Sequence, residues 1–257
     1  MPFIDSHCHL DFAQFSDDFA GILSAANALN VMEFVVPSIA VNNFDKVLAL
    51  ANQYPAIHHA FGMHPCFMAQ HQGDHVQVLE QYADKHQPCA IGEIGLDYFI
   101  EKDAQGRQAQ LDLFEAQISL ADSADLPVLL HVRKAHDQVL SVLKKSKFQA
   151  GGIVHAFNGS FEQAARYTQE FGFKLGFGGA ITHTRATKLR DLVSKLALSD
   201  IVLETDAPDM PLANMSQAFN QPANIKVIAE VVFALRSESA AQIERQLTQN
   251  TRSCLNI

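Results

Sequence analysis

The sequence predicts an α/β fold, a single-domain (β/α)8 TIM barrel covering residues 1–257. Three observations carry that prediction. Short β-branched or aromatic runs alternate with longer amphipathic segments along the chain. Eight such units average about 32 residues each, the size that a barrel of ~250 residues requires. Histidines and carboxylates recur where the runs end, on the rim where a barrel collects its functional groups.

In chain order, the first strand is read in "FIDSH" (3–7), followed by the helical pattern "DDFAGILSAANALN" (17–30). "EFVVP" (33–37) leads into "FDKVLALANQY" (44–54), where Phe44, Val47, Leu48 and Ala51 return at helical spacing. "IHHAFG" (57–62) and "CAIGEIG" (89–95) give the third and fourth strands, and "RQAQLDLFEAQISLADSA" (107–124) the helix after them. "PVLLHV" (127–132), "GGIVHAF" (151–157) and "FKLGFG" (173–178) follow. "RATKLRDLVSKLA" (185–197) is the last of these helices before "DIVLET" (200–205). No glycine-rich GxGxxG follows the first strand and no Pro/Gly/Ser linker divides the chain, so a doubly wound open sheet is the fallback.

Composition narrows the function classes. Hydrophobic residues make up 48% and charged residues 18%, which describes an ordinary globular chain. No apolar run reaches the ~18 residues of a membrane helix, and the polar start at Asp5, Ser6 and His7 is unlike a secretory leader. A cytoplasmic location is therefore expected. Cys8, Cys66, Cys89 and Cys254 form no CxxC pair and are read as reduced thiols. A net charge of -9 argues against a protein that coats nucleic acid, so any phosphate chemistry must be local to a site. No exposed heptad calls for assembly, and a monomer is expected.

The polar residues at the strand ends are His7 and His9 (first), His64 (after the third), Glu93 (fourth), His131 (fifth), His155 (sixth) and Asp206 (after the eighth). Residues i and i+2 of a strand share a face, so His7 and His9 are expected to face the barrel axis, with Cys8 and Leu10 toward the helices. Imidazole with carboxylate suits zinc, manganese, iron or nickel, and carboxylate alone would suit magnesium. Six of these seven residues, four histidines (His7, His9, His131, His155) and two carboxylates (Glu93, Asp206), exceed one tetrahedral shell, so two divalent ions are expected, with Glu93 able to bridge them. Singly, the histidines could be satisfied core residues and Asp206 a turn cap. Glu93 is harder to read that way, because a carboxylate in a buried strand must be paired or metal-bound. The joint pattern decides for a metal site. The remaining histidines, His58, His59, His71, His75, His86, His136 and His183, are expected mostly at the surface.

With "DSHCHLD", "GMHP", "GEIGLDY", "LPVLLHVRKAHD", "GGIVHAFNGS", "LETDAPDMP" and "NTRSCLNI" on the page, the chain resembles TatD-family metal-dependent deoxyribonucleases of the metal-dependent hydrolase superfamily, and within them the YjjV-like branch. The resemblance spans nearly the whole chain. It implies that His7, His9 and Asp206 hold one ion and His131 and His155 the second, with Glu93 bridging and magnesium, manganese or zinc as the metal. It also implies that His64 and Arg133 lie near the scissile phosphate, where Arg133 can fork onto two phosphate oxygens and His64 can donate to one. Asn158 in "HAFNGS" and Cys66 after "GMHP" depart from the pattern of many relatives and bear on substrate contacts.

The expected activity is hydrolysis of DNA phosphodiesters by a metal-activated water, with Asp206 orienting or deprotonating that water, acting as an exonuclease on single-stranded or frayed ends. A small-molecule amidohydrolase or phosphotriesterase-like activity is the alternative. Such enzymes generally bridge their metals with a carbamylated lysine, and the fourth strand here carries Glu93 instead. A catalytically silent metal-binding barrel is the non-enzymatic alternative, and it would require a broken ligand set.

Overall fold

Strands that are apolar on both faces need cover on both faces, and here they close on themselves inside a ring of helices. The computed structural model describes residues 1–257. Its strands are β1 (Phe3–Asp5), β2 (Val31–Pro37), β3 (Ile57–Phe61), β4 (Ala90–Asp97), β5 (Val128–Arg133), β6 (Gly152–Val154), β7 (Phe173–Phe177) and β8 (Ile201–Leu203). They pair in parallel and in sequence order. The seam between β8 and β1 is joined just above the strands, where Ser6 N–H donates to Leu203 (2.9 Å) and Asp206 N–H donates to His7 (2.9 Å). The architecture matches a single-domain (β/α)8 barrel.

The helices are α1 (Phe19–Ala28), α2 (Phe44–Gln53), α3 (His75–His86), α4 (Ala104–Ser123), α5 (His136–Ser146), α6 (Phe161–Ala165, continued by a π-helical turn to Glu170), α7 (Thr187–Lys195), α8 (Ile225–Leu235) and α9 (Ala240–Leu255). The chain thus adds a second helix after β8. None is long and apolar enough to cross a membrane. The larger apolar core lies between barrel and helices, with Phe34, Phe61, Phe114 and Phe173 fully buried in it. A smaller one fills the barrel with Ile4, Val35, Ala60, Ala90, Leu129, Ile153 and Val202, one from each of seven strands, and Leu255 of α9 packs against them. An apolar plug on one side leaves the polar residues of the other rim to converge above it.

Two glutamines on the buried face of α4 brace that rim. Gln117 accepts from Met63 N–H (2.8 Å) and donates to the Met63 carbonyl (3.1 Å). Gln110 accepts from Asp97 N–H (3.0 Å) and donates to the Pro65 carbonyl (3.1 Å). Met63 and Pro65 flank His64, so a helix on the outside of the barrel holds a residue of its mouth.

The expectation for the seven other histidines needs correction. None is fully exposed: six are half-buried and His136 is buried, its Nδ1 and Nε2 each 3.4 Å from Tyr167 and Asn158 respectively. An imidazole can bury its carbon edge while a nitrogen keeps a partner, so helix position alone does not expose it.

Replacing Gln117 with alanine strands both backbone groups of Met63 in a dry interior. The Gln117→Ala variant is expected to lose about 2 kcal/mol of unfolding free energy, read as a lower urea midpoint.

Candidate metal centre

The seven residues read from the sequence at strand ends come together around one carboxylate. Glu93 is 1% exposed, and its two oxygens divide the imidazoles between them. Oε2 lies 3.1 Å from His7 Nε2 and 3.4 Å from His9 Nε2. Oε1 lies 3.1 Å from His131 Nδ1, 3.2 Å from His64 Nε2 and 3.3 Å from His155 Nε2. Asp206 Oδ1 stands on the Oε2 side, 3.8 Å from His7 and 3.7 Å from His9.

Strand alternation alone would not produce this arrangement. In β1 it is Ile4 that faces the barrel interior, so strict alternation would turn His7 outward. The strand ends at Asp5, however, and a bend at Ser6–His7 resets the direction. The expected His7/His9 facing is reached, but by a bend and not by strand periodicity. Glu93 is a similar case. It does not end its strand, which runs on to Asp97, and with Ala90 facing inward it too should point out. Between Ile91 and Ile94 the register with β5 shifts, so that three steps on β4 match two on β5, from Val128 to Leu130. That bulge re-aims Glu93 into the barrel. His131 and His155 need no such device, lying two residues beyond the inward-facing Leu129 and Ile153. Asp206 follows β8 in a left-handed conformation (φ 56°), which a short polar side chain tolerates.

Three further acids surround the cluster that strand-end reasoning passed over. Asp97 Oδ2 lies 3.0 Å from His131 Nε2, while its Oδ1 accepts from Phe99 and Ile100 N–H (2.9 Å each). Glu204 Oε1 accepts from Ala156 N–H (2.6 Å) and stands 3.3 Å from His155 Nδ1, off the line of a hydrogen bond. Only a glycine fits opposite it, since a Cβ on Gly176 would meet Glu204 Oε2 at 2.1 Å. Asp5 takes the Thr205 N–H (2.9 Å) and hydroxyl (2.5 Å), tying β1 to the segment after β8. A signal was present in the strand period: Asp97 is four residues after Glu93, and Glu204 two before Asp206.

The electrostatics follow from this crowding. Burial pulls the Glu93 carboxyl upward, but the imidazoles of His64, His7 and His155 and the hydrogen bond from His131 outweigh it and hold it well below the ordinary carboxylate range. Burial lowers His155, yet Asp206, Glu93 and Glu204 overcome it and raise the imidazole to about 9. His131 is likewise held well above its ordinary value by Asp97, Cys66 and Glu93, against burial. Burial dominates at His64 and pushes it down to about 4. His64 Nδ1 accepts from Cys66 N–H (3.0 Å), so its neutral ring carries the proton on Nε2, toward Glu93. That tautomer is a donor and not a metal ligand.

A cluster that draws protons onto imidazoles also favours divalent cations, which displace those protons on binding. The donor set fits. The ligand atoms of His7, His9 and Asp206 lie within 4.8 Å of one another, and so do those of His7, Glu93 and His155. His7 Nδ1 and His9 Nδ1 are buried without a partner, so the bond-forming ends of both rings point only into the cluster. Arg133 stands at the mouth, exposed, with its guanidinium 3.8 Å over the Phe99 ring and no carboxylate partner. Cys66 Sγ lies 3.5 Å from Asp97 Oδ2, beside the same site.

With this geometry in hand, comparison with known proteins is direct. The family model described as TatD related DNase matches residues 4–256. The metal-dependent hydrolase YjjV of Escherichia coli is 40% identical over 257 residues, covering 99% of this chain and 98% of the relative. The crystal structure of the E. coli YjjV TatD homologue superposes with a TM-score of 0.94, covering 99% of this chain and 98% of that one. Deoxyribonuclease Tat-D of Schizosaccharomyces pombe is 29% identical, over 93% of this chain and 88% of the relative. A bulged carboxylate ringed by rim histidines, in a barrel matched from end to end, identifies the chain as belonging to the TatD family.

Proposed function

We propose that this metal-dependent hydrolase cleaves DNA phosphodiesters, acting at single-stranded or frayed ends with two divalent ions in the site. The observation that carries the reading is the division of ligands by Glu93. His7, His9 and Asp206 would hold one ion from the Oε2 side, His131 and His155 the other from the Oε1 side, with Glu93 between them. Magnesium, manganese or zinc held there would lower the pKa of a coordinated water and offset phosphate charge. The deoxyribonuclease name of the S. pombe relative supports the substrate class.

The chain's own residues supply the remaining steps. Asp206, its side chain 15% exposed, is the ligand carboxylate best placed to orient a water and accept its proton. His64 Nε2–H is a neutral donor for a non-bridging phosphate oxygen, held in that tautomer by Cys66 N–H. Arg133 offers a fork of donors at the mouth and has no competing carboxylate. Asp97 and Glu204 orient His131 and His155 from behind. A chain of net charge -9 repels a long duplex, and the local cationic character of a metal-loaded rim suits a strand end better.

A small-molecule amidohydrolase or phosphotriesterase-like reading has one observation in its favour. A largely apolar cavity of about 380 Å³ adjoins the cluster and shares His131, Arg133, His155 and Asp206 with it. Activity on esters, lactones or amides, with none on oligonucleotides, would select that reading.

The deciding experiment follows nucleotide release from a 3′-labelled single-stranded oligonucleotide. Chelator-treated protein is expected to be inactive, and magnesium, manganese or zinc to restore cleavage; Glu93→Ala should stay inactive with every ion. Endonucleolytic cutting of intact duplex as the main activity would exclude action at ends. Glu204→Gln keeps the packing but weakens the hold on His155, and metal affinity measured by titration should fall about 10- to 100-fold. Arg133→Lys retains charge without the fork, and its kcat/KM on oligonucleotides should drop about tenfold or more.

A further inference from the structure

The groove does not end at the metal cluster. The apolar cavity beside it, walled by Phe157, Phe177, Ile181, Leu189 and Met210, reaches Asn158. Asn158 also lines a second, polar cavity of about 500 Å³ that contains Lys134, His136, Tyr98 and Lys188. The two spaces meet at this one residue.

The second cavity gathers two lysines that have no ion-pair partner. Ion pairs engage Lys145, Lys174, Lys195 and Lys226, but neither Lys134 nor Lys188 has a carboxylate within 4.0 Å. Lys188 Nζ instead donates to the Asn158 carbonyl (3.3 Å), which aims it at the junction. Lys134 follows Arg133 directly, in a left-handed conformation (φ 58°) that turns the chain from the rim into α5. The single carboxylate of the lining, Asp137, accepts from Gln163 (2.8 Å). Two free cations therefore face one anion that is already hydrogen-bonded. No side chain caps α5, whose first turn opens at His136 and adds positive potential to the same cavity.

We propose that Lys134 and Lys188 form a second phosphate subsite, which takes the phosphate one nucleotide removed from the reacting one in a single-stranded substrate. The nucleoside between the two phosphates then lies in the apolar cavity, against Phe157 and Phe177. A base in that cavity cannot be paired, so the subsite selects single strands through packing, while the lysines fix the backbone. Asn158, the departure from many relatives, sits at the crossing point between base and backbone.

The inference rests on the DNA reading above, and the test separates the two. A single-stranded dinucleotide has one internucleotide phosphate and a trinucleotide has two. Wild type and the Lys134→Gln/Lys188→Gln variant are compared on both, with the metal that restores cleavage, between about 50 and 200 mM salt. The variant is expected to lose about tenfold more on the trinucleotide than on the dinucleotide, in KM and not in kcat. Its slope of log KM against log salt should fall by about 0.7 for the trinucleotide. Equal losses on both substrates, or none on the trinucleotide, overturn the subsite and leave the DNA reading standing. If wild type releases nucleotides from the longer labelled strand but cleaves neither short oligonucleotide, the subsite falls and the DNA reading stands; if it cleaves no oligonucleotide of any length, both fall.

Discussion

A single buried carboxylate, Glu93, sets the terms for the rest of the mouth. An isolated charge at 1% exposure would cost several kcal/mol. Here five imidazoles stand within 3.4 Å of its oxygens. Each comes from a different strand end or the loop beyond it, apart from the His7–His9 pair. The barrel solves a problem that no single helix or hairpin could: it brings polar groups from five separate units to one point without burying an unpartnered charge.

Around that point the structure is graded. Asp97 and Glu204 stand behind His131 and His155, and Asp5 joins Thr205 across the seam of the barrel. Gln110 and Gln117 of α4 fix the backbone on either side of His64. Rotation of any of these rings would break a buried contact, so the donor atoms are held ready before any ligand arrives. Such preorganisation is what makes closely spaced charges effective in a dry site. Inside the opposite end of the barrel the packing is apolar, closed by Leu255. Stability and chemistry are therefore assigned to different ends of the same strands.

At the mouth the physics changes from burial to recognition. Arg133 stacked on the exposed Phe99, and Lys134 and Lys188 without carboxylate partners, keep positive charge near the groove of an otherwise acidic chain. A local concentration of cations draws an anionic substrate without making the whole surface adhesive to nucleic acid. Membership of the TatD family agrees with chemistry confined to that rim.

The sequence by itself determined the barrel, because eight alternating units of about 32 residues leave few other ways to bury strands that are apolar on both faces. It also determined which residue types gather at the rim, since His7, His9, His64, Glu93, His131, His155 and Asp206 all fall at or just beyond apolar runs. Orientation was left to the tertiary structure. Simple alternation would have turned His7 and Glu93 away from the axis, and only the bend after Asp5 and the bulge at Ile91–Ile94 turn them inward. Both depend on how a strand registers against its neighbour, a relation between segments far apart in the chain. The same holds for Asp97, Glu204 and the buried His136, whose roles come from what lies opposite them. Local pattern fixes what a residue can do; the partner across the barrel decides which of those things it does.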